Sequence, residues 1–185
     1  MTRVVLASRS PQRRAILDQI GVDYEVEVPD VEELQAGPPH EVALENAFRK
    51  ASAVAARFPG TLVVGCDTLV SLGARLYGKP VDEDEARAML GALAGRRHTV
   101  VSGLCLIEDG RSRTAAASTV VEFRALDEAL IDWYMASGEW RERAGAYAIQ
   151  GRGAALVAGV EGDFLNVVGL PLTTLLELAP GLLSG

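Results

Sequence analysis

The chain has 185 residues, with 18 Lys or Arg against 25 Asp or Glu, so its formal net charge is −7. The residues are 49% apolar and 5% aromatic, a composition that excludes a disordered, collagen-like or disulfide-rich protein. The acidic balance argues against a nucleic acid polymer as a partner, because such binding needs a basic surface. A small anionic ligand stays compatible with this charge, since it needs only a local cluster of cations.

The lengths of the apolar runs, the cysteine content and the chain length predict the location of the protein and its number of domains. No apolar run approaches the ~20 residues that span a bilayer, and the apolar stretch near the N-terminus is too short for a signal peptide. The two cysteines, Cys66 and Cys105, do not make a disulfide framework, so we expect a cytoplasmic protein with no membrane partner. The length supports one hydrophobic core, and we expect a single domain over residues 1–185.

The spacing of apolar residues alternates between periods of 2 and 3.6, which predicts strands mixed with helices in one α/β domain. The expected strands cover residues 4–7, 24–28, 62–64, 98–107, 114–123 and 154–160. The expected helices begin at Ser10-Pro11, after Pro38-Pro39, at Asp82, at Asp127 and at Pro171. A turn is predicted at 65–68, a hairpin turn at 108–110, and a glycine-rich loop at 144–153.

Two familiar kinds of site are excluded. The segment Gly73 to Lys79 has the glycine and lysine spacing of a P-loop, but the next residue is Pro80. Proline has no hydroxyl to hold Mg²⁺, and it disfavours helical angles at the residue before it. His40 and His98 are far apart and lack the spacing of zinc ligands.

The first strand–helix junction is a candidate anion site. Ser8, Arg9, Arg13 and Arg14 crowd this loop and the first turn of the helix. A helix N-terminus carries partial positive charge, so arginines placed there oppose local helix stability and a bound anion would explain them. The alternative is that one or more of these arginines points into solvent.

Asp67 is a candidate catalytic carboxylate. It follows an apolar strand, and open α/β sheets place their ligands where strands end. Asp67 could hold a divalent metal or accept a proton from water, and Glu32 or Glu33 could supply a second metal ligand. The alternative is a turn aspartate that bonds its own backbone.

Two further segments carry weaker signals. Lys79 could contact a phosphate, or it could be a solvated lysine after a hairpin. In the glycine-rich segment, Gln150 can both donate to and accept from a base edge, although the segment could equally be an ordinary loop.

Taken together, the motifs resemble those of the Maf family, in the same order and over nearly the whole chain. They are Leu6-Ala7-Ser8-x-Ser10-Pro11-x-Arg13, Glu45-Asn46-Ala47-x-x-Lys50-Ala51, Gly65-Cys66-Asp67-Thr68, Gly78-Lys79-Pro80, Ala144-Gly145-Ala146-Tyr147-x-Ile149-Gln150-Gly151 and Val168-Gly169-Leu170-Pro171. The resemblance implies an elongated mixed β-sheet flanked by helices, with a central nucleotide cleft, as in Maf and inosine triphosphatase-like proteins. It also implies a cytoplasmic, usually homodimeric nucleoside triphosphate pyrophosphatase that depends on a divalent metal, Mg²⁺ or Mn²⁺.

The resemblance also assigns roles to individual residues. It implies that Asp67 is the catalytic base and that Glu33 and Asp67 hold the metal. The residues implied to bind the triphosphate are Ser8, Arg13, Lys50 and Lys79. Water would attack the α-phosphorus and release a nucleoside monophosphate and pyrophosphate.

Three positions bear on the choice of base. Thr68 and Gln150 resemble the subgroup that acts on dTTP and UTP, whereas the subgroup preferring 7-methyl-GTP tends to have Gln and Glu there. Gln12 stands where the dTTP/UTP subgroup commonly has arginine. CTP and modified pyrimidine nucleotides stay open as substrates. The rival hypotheses are a nucleotide-binding regulator of septum formation with little turnover, and a pyrophosphatase for non-standard purine nucleotides.

Overall fold

The computed structural model describes residues 3–183, so Met1, Thr2, Ser184 and Gly185, the ends of the expected domain, lie outside the described residues. The strands are β1 (Val4–Ala7), β2 (Tyr24–Val26), β3 (Leu62–Leu72), β4 (Arg75–Tyr77), β5 (Arg97–Glu108), β6 (Arg111–Phe123) and β7 (Val157–Glu161). The α-helices are α1 (Pro11–Gln19), α2 (Pro39–Ala55), α3 (Glu83–Leu93), α4 (Glu128–Met135), α5 (Phe164–Val168) and α6 (Leu172–Leu178). Two 3₁₀ segments cover Ala144–Ala146 and Gly151–Leu156.

All seven strands form one mixed sheet in the order β2-β1-β3-β5-β6-β7, with β4 beside β3. β1 is parallel to β2 and β3, and the other pairs are antiparallel. The expected α/β class, a mixed sheet flanked by helices, is therefore confirmed. Within residues 3–183 no helix is both long and apolar enough to cross a membrane.

The two faces of the sheet are covered by different helices, because successive side chains of a strand point to opposite faces. Val4 and Leu6 pack with α1 and α6 on one face. Val5 and Ala7 pack with the alanines of α2 on the other face. β1 is therefore buried along its whole length, as its unbroken apolar run predicts.

Several predicted boundaries are confirmed. The Ser10 hydroxyl caps α1 by accepting from the Arg13 N–H, and Pro11 is the first helical residue. At the hairpin between β5 and β6, Asp109 and Gly110 both have positive φ, 49° and 74°, as a two-residue hairpin turn of this sense requires.

Several other predicted boundaries are wrong: β2 ends at Val26 instead of residue 28, β6 begins at Arg111 instead of residue 114, and two further segments differ in type. Residues 65–68 are not a turn, because β3 continues straight through them and Asp67 pairs with Gly103 on β5. Residues 154–156 belong to a 3₁₀ segment, so β7 begins only at Val157. In the first case Gly65 was taken as a sign of chain reversal, whereas its role in β3 is close packing.

Helix α2 lies unusually close to the sheet over two glycines. A Cβ built on Gly65 would lie 2.4 Å from the Ala47 carbonyl oxygen, and one built on Gly103 would lie 2.2 Å from that of Ala43. Glycine inside a strand marks such a close backbone approach. The two glycines therefore allow α2 to pack close to β3 and β5 beside Asp67.

We expect Gly103→Ala to destabilise the protein by about 3 kcal/mol, because backbone atoms of α2 would have to move away from the new methyl group. Urea unfolding measures this change. The matched control is Gly91→Ala in α3, where a Cβ meets nothing within 4 Å, and which we expect to be stabilising by up to about 1 kcal/mol. Equal effects of the two substitutions would contradict the close packing of α2.

Candidate active site

The site lies at a gap in the sheet beside β3. β3 pairs with β1 as far as Gly65 opposite Ala7, and with β4 from Val70 opposite Tyr77 onward. Within residues 3–183, no strand pairs with residues 66–69 on that side. The loop after β1 and the loop after β4 flank this gap, so three of the sequence motifs, at residues 6–13, 65–68 and 78–80, lie close together.

Asp67 is buried in this gap and is held by two side chains of α2. Lys50 Nζ lies 2.6 Å from Asp67 Oδ1, and Asn46 Nδ2 donates to Asp67 Oδ2 over 3.0 Å. Lys50 and Asn46 are four residues apart, so both lie on the same face of the helix. The Asp67 side chain is 8% exposed, and both its oxygens have a fixed partner.

Glu33 joins this cluster from the segment before α2. Its Oε1 lies 2.8 Å from Lys50 Nζ, and its side chain is 41% exposed. The neighbouring backbone is fixed by Asn46, which accepts from Leu34 N and donates to Leu34 O. Lys50 thus lies between a buried carboxylate and a more exposed one.

The donor set of this cluster bears on the predicted metal. Among residues 3–183, no three His, Cys, Asp or Glu side chains are grouped so that they could hold a metal ion. Magnesium bound to a phosphate typically takes one or two protein carboxylates and fills its other positions with phosphate oxygens and water. Glu33 and Asp67 fit that kind of site and do not fit a cage made of protein ligands alone.

Arg13 forms a second buried cluster on the other side of β3. Its Nη1 donates to Ser8 Oγ over 2.9 Å, its Nη2 to Thr68 Oγ1 over 3.2 Å, and its Nε to the Gly169 carbonyl oxygen over 2.8 Å. The guanidinium has five N–H donors, so two remain free for a ligand. Thr68 Oγ1 also lies 2.8 Å from Ser102 Oγ.

Alternation along β3 explains why neighbouring residues belong to different clusters. Asp67 points towards α2 and Thr68 towards α1, as successive strand residues must. Thr68, expected from the family resemblance to bear on the choice of base, contacts Arg13, and it does not line the cavity described next.

A cavity of about 230 Å³ lies beside the first helical turn of α1. Its polar lining consists of Gln12, Glu139, Arg143 and Gln150, and its apolar lining includes Tyr147 and Val168. The structure therefore brings together Gln12 and Gln150, which are 138 positions apart in the chain. This mixture of an apolar wall and a few polar groups is typical of small-molecule sites.

Lys79 lies in the loop after β4, and its side chain is 55% exposed. Its Nζ lies 3.0 Å from Glu142 Oε2. The hydrogen bond from Lys79 and its charge lower the pKa of the Glu142 carboxyl, with smaller contributions from Arg9 and Arg143. The exposed Glu142 carboxylate thus lies near three cationic side chains.

The sequence analysis assigned no role to three polar residues of the site. Asn46 lies inside a quoted motif, and its position four residues before Lys50 was the signal that could have placed it beside Asp67. Glu139 and Arg143 precede the glycine-rich segment, and no spacing rule marks them. Arg143 has a buried Nε with no hydrogen-bond partner among residues 3–183.

His98 packs against Tyr147, one of the residues that line the cavity. Its Nε2 lies 2.9 Å from the Tyr147 hydroxyl, and its ring contacts Phe123 and Tyr147 edge to face. Burial lowers the pKa of His98 to about 4, so the ring is uncharged at neutral pH. His98 therefore has a structural role, packing against Phe123 and Tyr147.

His98 makes the stability dependent on pH. Between pH 6.5 and 4 the unfolded chain protonates this histidine and the folded chain does not, so stability is lost as the pH falls. We expect a loss of about 2 kcal/mol between pH 7 and pH 5 from this group. Urea unfolding at both pH values checks it. His98→Gln keeps an acceptor for the Tyr147 hydroxyl, and its stability should fall by about 2 kcal/mol less between pH 7 and pH 5 than that of the wild-type protein. An equal loss of stability in both proteins would contradict the assignment of this pH dependence to His98.

Residues 3–181 match the family model described as Maf-like protein. The chain therefore belongs to the Maf-like protein family, and the resemblance seen in its motifs is confirmed.

Its relatives include proteins named dTTP/UTP pyrophosphatase. The relative from Symbiobacterium thermophilum is 46% identical over 174 residues, covering 93% of this chain and 90% of the relative. The relative from Gloeobacter violaceus is 47% identical, with 95% and 94% covered, and the one from Myxococcus xanthus is 49% identical, with 92% and 88% covered.

Proposed function

We propose that this protein is a nucleoside triphosphate pyrophosphatase that hydrolyses dTTP and UTP to the nucleoside monophosphate and pyrophosphate. The relatives that carry this name match more than nine tenths of the chain. The observation that carries the proposal is Asp67, a buried carboxylate fixed by Lys50 and Asn46 at the gap in the sheet. A buried, fixed carboxylate is a suitable acceptor for the proton of an attacking water.

In this mechanism Asp67 is the general base and the cations bind the triphosphate. Water gives its proton to an Asp67 oxygen as it attacks the α-phosphorus, and pyrophosphate leaves. Lys50, Arg13 and Lys79, with the Ser8 hydroxyl, oppose the roughly four negative charges of the triphosphate. Lys79 would exchange Glu142 for a phosphate, a small change because exposed ion pairs contribute at most about 1 kcal/mol.

A divalent cation, Mg²⁺ or Mn²⁺, belongs to this proposal. The carboxylates of Glu33 and Asp67 are the residues that would hold it. When bound, it supplies charge neutralisation for the phosphate oxygens. Removal with EDTA should therefore abolish turnover.

The cavity lined by Gln12 and Gln150 is proposed as the site of the base. Gln150 reads the base edge, while Thr68 acts through Arg13 instead of contacting the base. Gln12 lines the same cavity, so position 12 contributes a neutral donor and acceptor in this protein.

We further propose that the chain is a single domain over residues 1–185 and acts in the cytoplasm as a homodimer. The family match over residues 3–181 supports the first point, and the family resemblance is the basis of the other two. The net charge of −7 disfavours a nucleic acid polymer as partner. Light scattering after gel filtration measures the oligomeric state, and a monomer would contradict the homodimer.

A substrate panel tests the activity. The purified protein is incubated with dTTP, UTP, CTP, GTP, 7-methyl-GTP and ITP, with Mn²⁺ or Mg²⁺ and then with EDTA. We expect turnover of dTTP and UTP that EDTA removes. Preference for ITP would favour the enzyme for non-standard purines, and binding without turnover of any nucleotide would favour the regulator of septum formation.

A further inference from the structure

The loop that carries Gln150 is held by one carboxylate. Glu139 Oε1 accepts from Arg152 N over 3.0 Å, and Glu139 Oε2 accepts from Gly153 N over 3.1 Å. Hydrogen bonds from backbone N–H groups to an ionised carboxylate are among the stronger ones in proteins. Glu139 itself lies in the cavity wall beside Gln150.

The rest of the loop leaves little room for another conformation. Gly151 has a φ of 68°, and a Cβ on it would lie 2.6 Å from Glu139 Oε1. A Cβ on Gly153 would lie 1.7 Å from the Ala148 carbonyl oxygen, and Ala148 N donates to the Tyr134 hydroxyl. The loop is therefore fixed at both ends, and Glu139 fixes the end that follows Gln150.

A glutamine does not discriminate between pyrimidines by its chemistry alone. The O4 of uracil or thymine accepts a hydrogen bond, whereas the N4 amino group of cytosine donates one. The carboxamide of glutamine both donates and accepts. Rotating it by about 180° would therefore let it hydrogen-bond to either base. Discrimination therefore requires the backbone that carries Gln150 to hold this residue at one position relative to the base.

We propose that Glu139 is a positioning residue that, by binding the amides of Arg152 and Gly153, fixes Gln150 and so determines the preference for uracil-type over cytosine bases. This inference rests on the proposed base cavity. Glu139 acts through the loop backbone and transfers no proton. Its loss therefore alters base selection and affects the chemical step much less.

The test uses nuclear magnetic resonance titration with UMP and CMP, which report base recognition without hydrolysis. We expect the wild-type protein to bind UMP more tightly than CMP. Glu139→Gln replaces one acceptor oxygen with an NH₂ group that cannot accept, so the Kd ratio of CMP to UMP should fall about tenfold. The amides of Arg152 and Gly153 should also exchange faster with solvent. Glu128→Gln, at the start of α4, is the matched control and should change neither quantity.

Gly151→Ala is the second variant: the new methyl group would push the Glu139 carboxylate away from the amides of Arg152 and Gly153, although the glutamate itself is unchanged. It should reproduce the loss of selectivity. An unchanged ratio in both variants, or a wild-type ratio near one, would overturn the inference. Selective binding of UMP without hydrolysis of any triphosphate would contradict the proposed activity and leave the role of Glu139 intact, so the two failures are distinguishable.

Discussion

Asp67→Asn is expected to lower kcat for dTTP about 10³-fold, because the amide cannot take a proton from the attacking water. The substitution preserves the shape of the side chain and one oxygen for Asn46 or Lys50. Binding of dTTP in the presence of EDTA should persist, since Arg13 and Lys79 do not depend on Asp67. Steady-state kinetics and calorimetric titration measure the two quantities.

The control for this substitution is Asp84→Asn, which removes an exposed carboxylate from the first turn of α3 and should leave kcat unchanged. A fall of less than tenfold in Asp67→Asn would mean that Asp67 positions Lys50 and that another group accepts the proton.

Lys50→Met is expected to cost about 3 to 5 kcal/mol of stability, because it leaves the buried Asp67 carboxylate without its counterion. Asn46 would remain as the only donor among the contacts described for that carboxylate. Glu33 loses the same partner, but its greater exposure lets water replace it. Urea unfolding at neutral pH measures the loss, and turnover should disappear with it.

The double variant Lys50→Met/Asp67→Asn separates charge burial from packing. Removing the uncompensated carboxylate should return most of the lost stability while activity stays absent. The control is Arg87→Met, which breaks an exposed ion pair with Asp132 and should cost less than about 1 kcal/mol. Additive effects in the double variant would show that Lys50 and Asp67 do not interact as the geometry indicates.

Local chemistry explains which parts of the fold the sequence predicts correctly. Ser10 and Pro11 mark the start of α1 because a hydroxyl cap and a fixed proline φ act within one turn of helix. Asp109 and Gly110 mark a hairpin because both residues tolerate positive φ. Each of these signals depends on neighbours in the chain, so no tertiary information is needed to interpret it.

The turn predicted at residues 65–68 was wrong for a tertiary reason. Glycine between two apolar runs is typical of a turn, but Gly65 is required by the approach of α2 to the sheet. The helix residues in contact are Ala47 and Ala51, which precede Gly65 by 18 and 14 positions. β3 is one continuous strand through the site. The glycine that seemed to interrupt it is the residue against which α2 packs.

The candidate site residues were predicted as a set, and their partners were not. The motifs contain Asp67 and Lys50, and the family resemblance adds Glu33, but the ion pairs among them depend on how α2 lies across β3. In the same way, the contact of Thr68 with Arg13 follows from side-chain alternation along a strand that the sequence analysis had interrupted. Glu139 was missed because its partners are backbone amides, which leave no mark on residue identity.

The position of oxygen from solvent tests the central proposal most directly. Hydrolysis of dTTP in ¹⁸O-labelled water, followed by mass spectrometry of the products, identifies the phosphorus that water attacks. We expect labelled dTMP and unlabelled pyrophosphate, with no product when EDTA is present. Label in pyrophosphate, or formation of dTDP and inorganic phosphate, would place the attack on another phosphorus and contradict the mechanism.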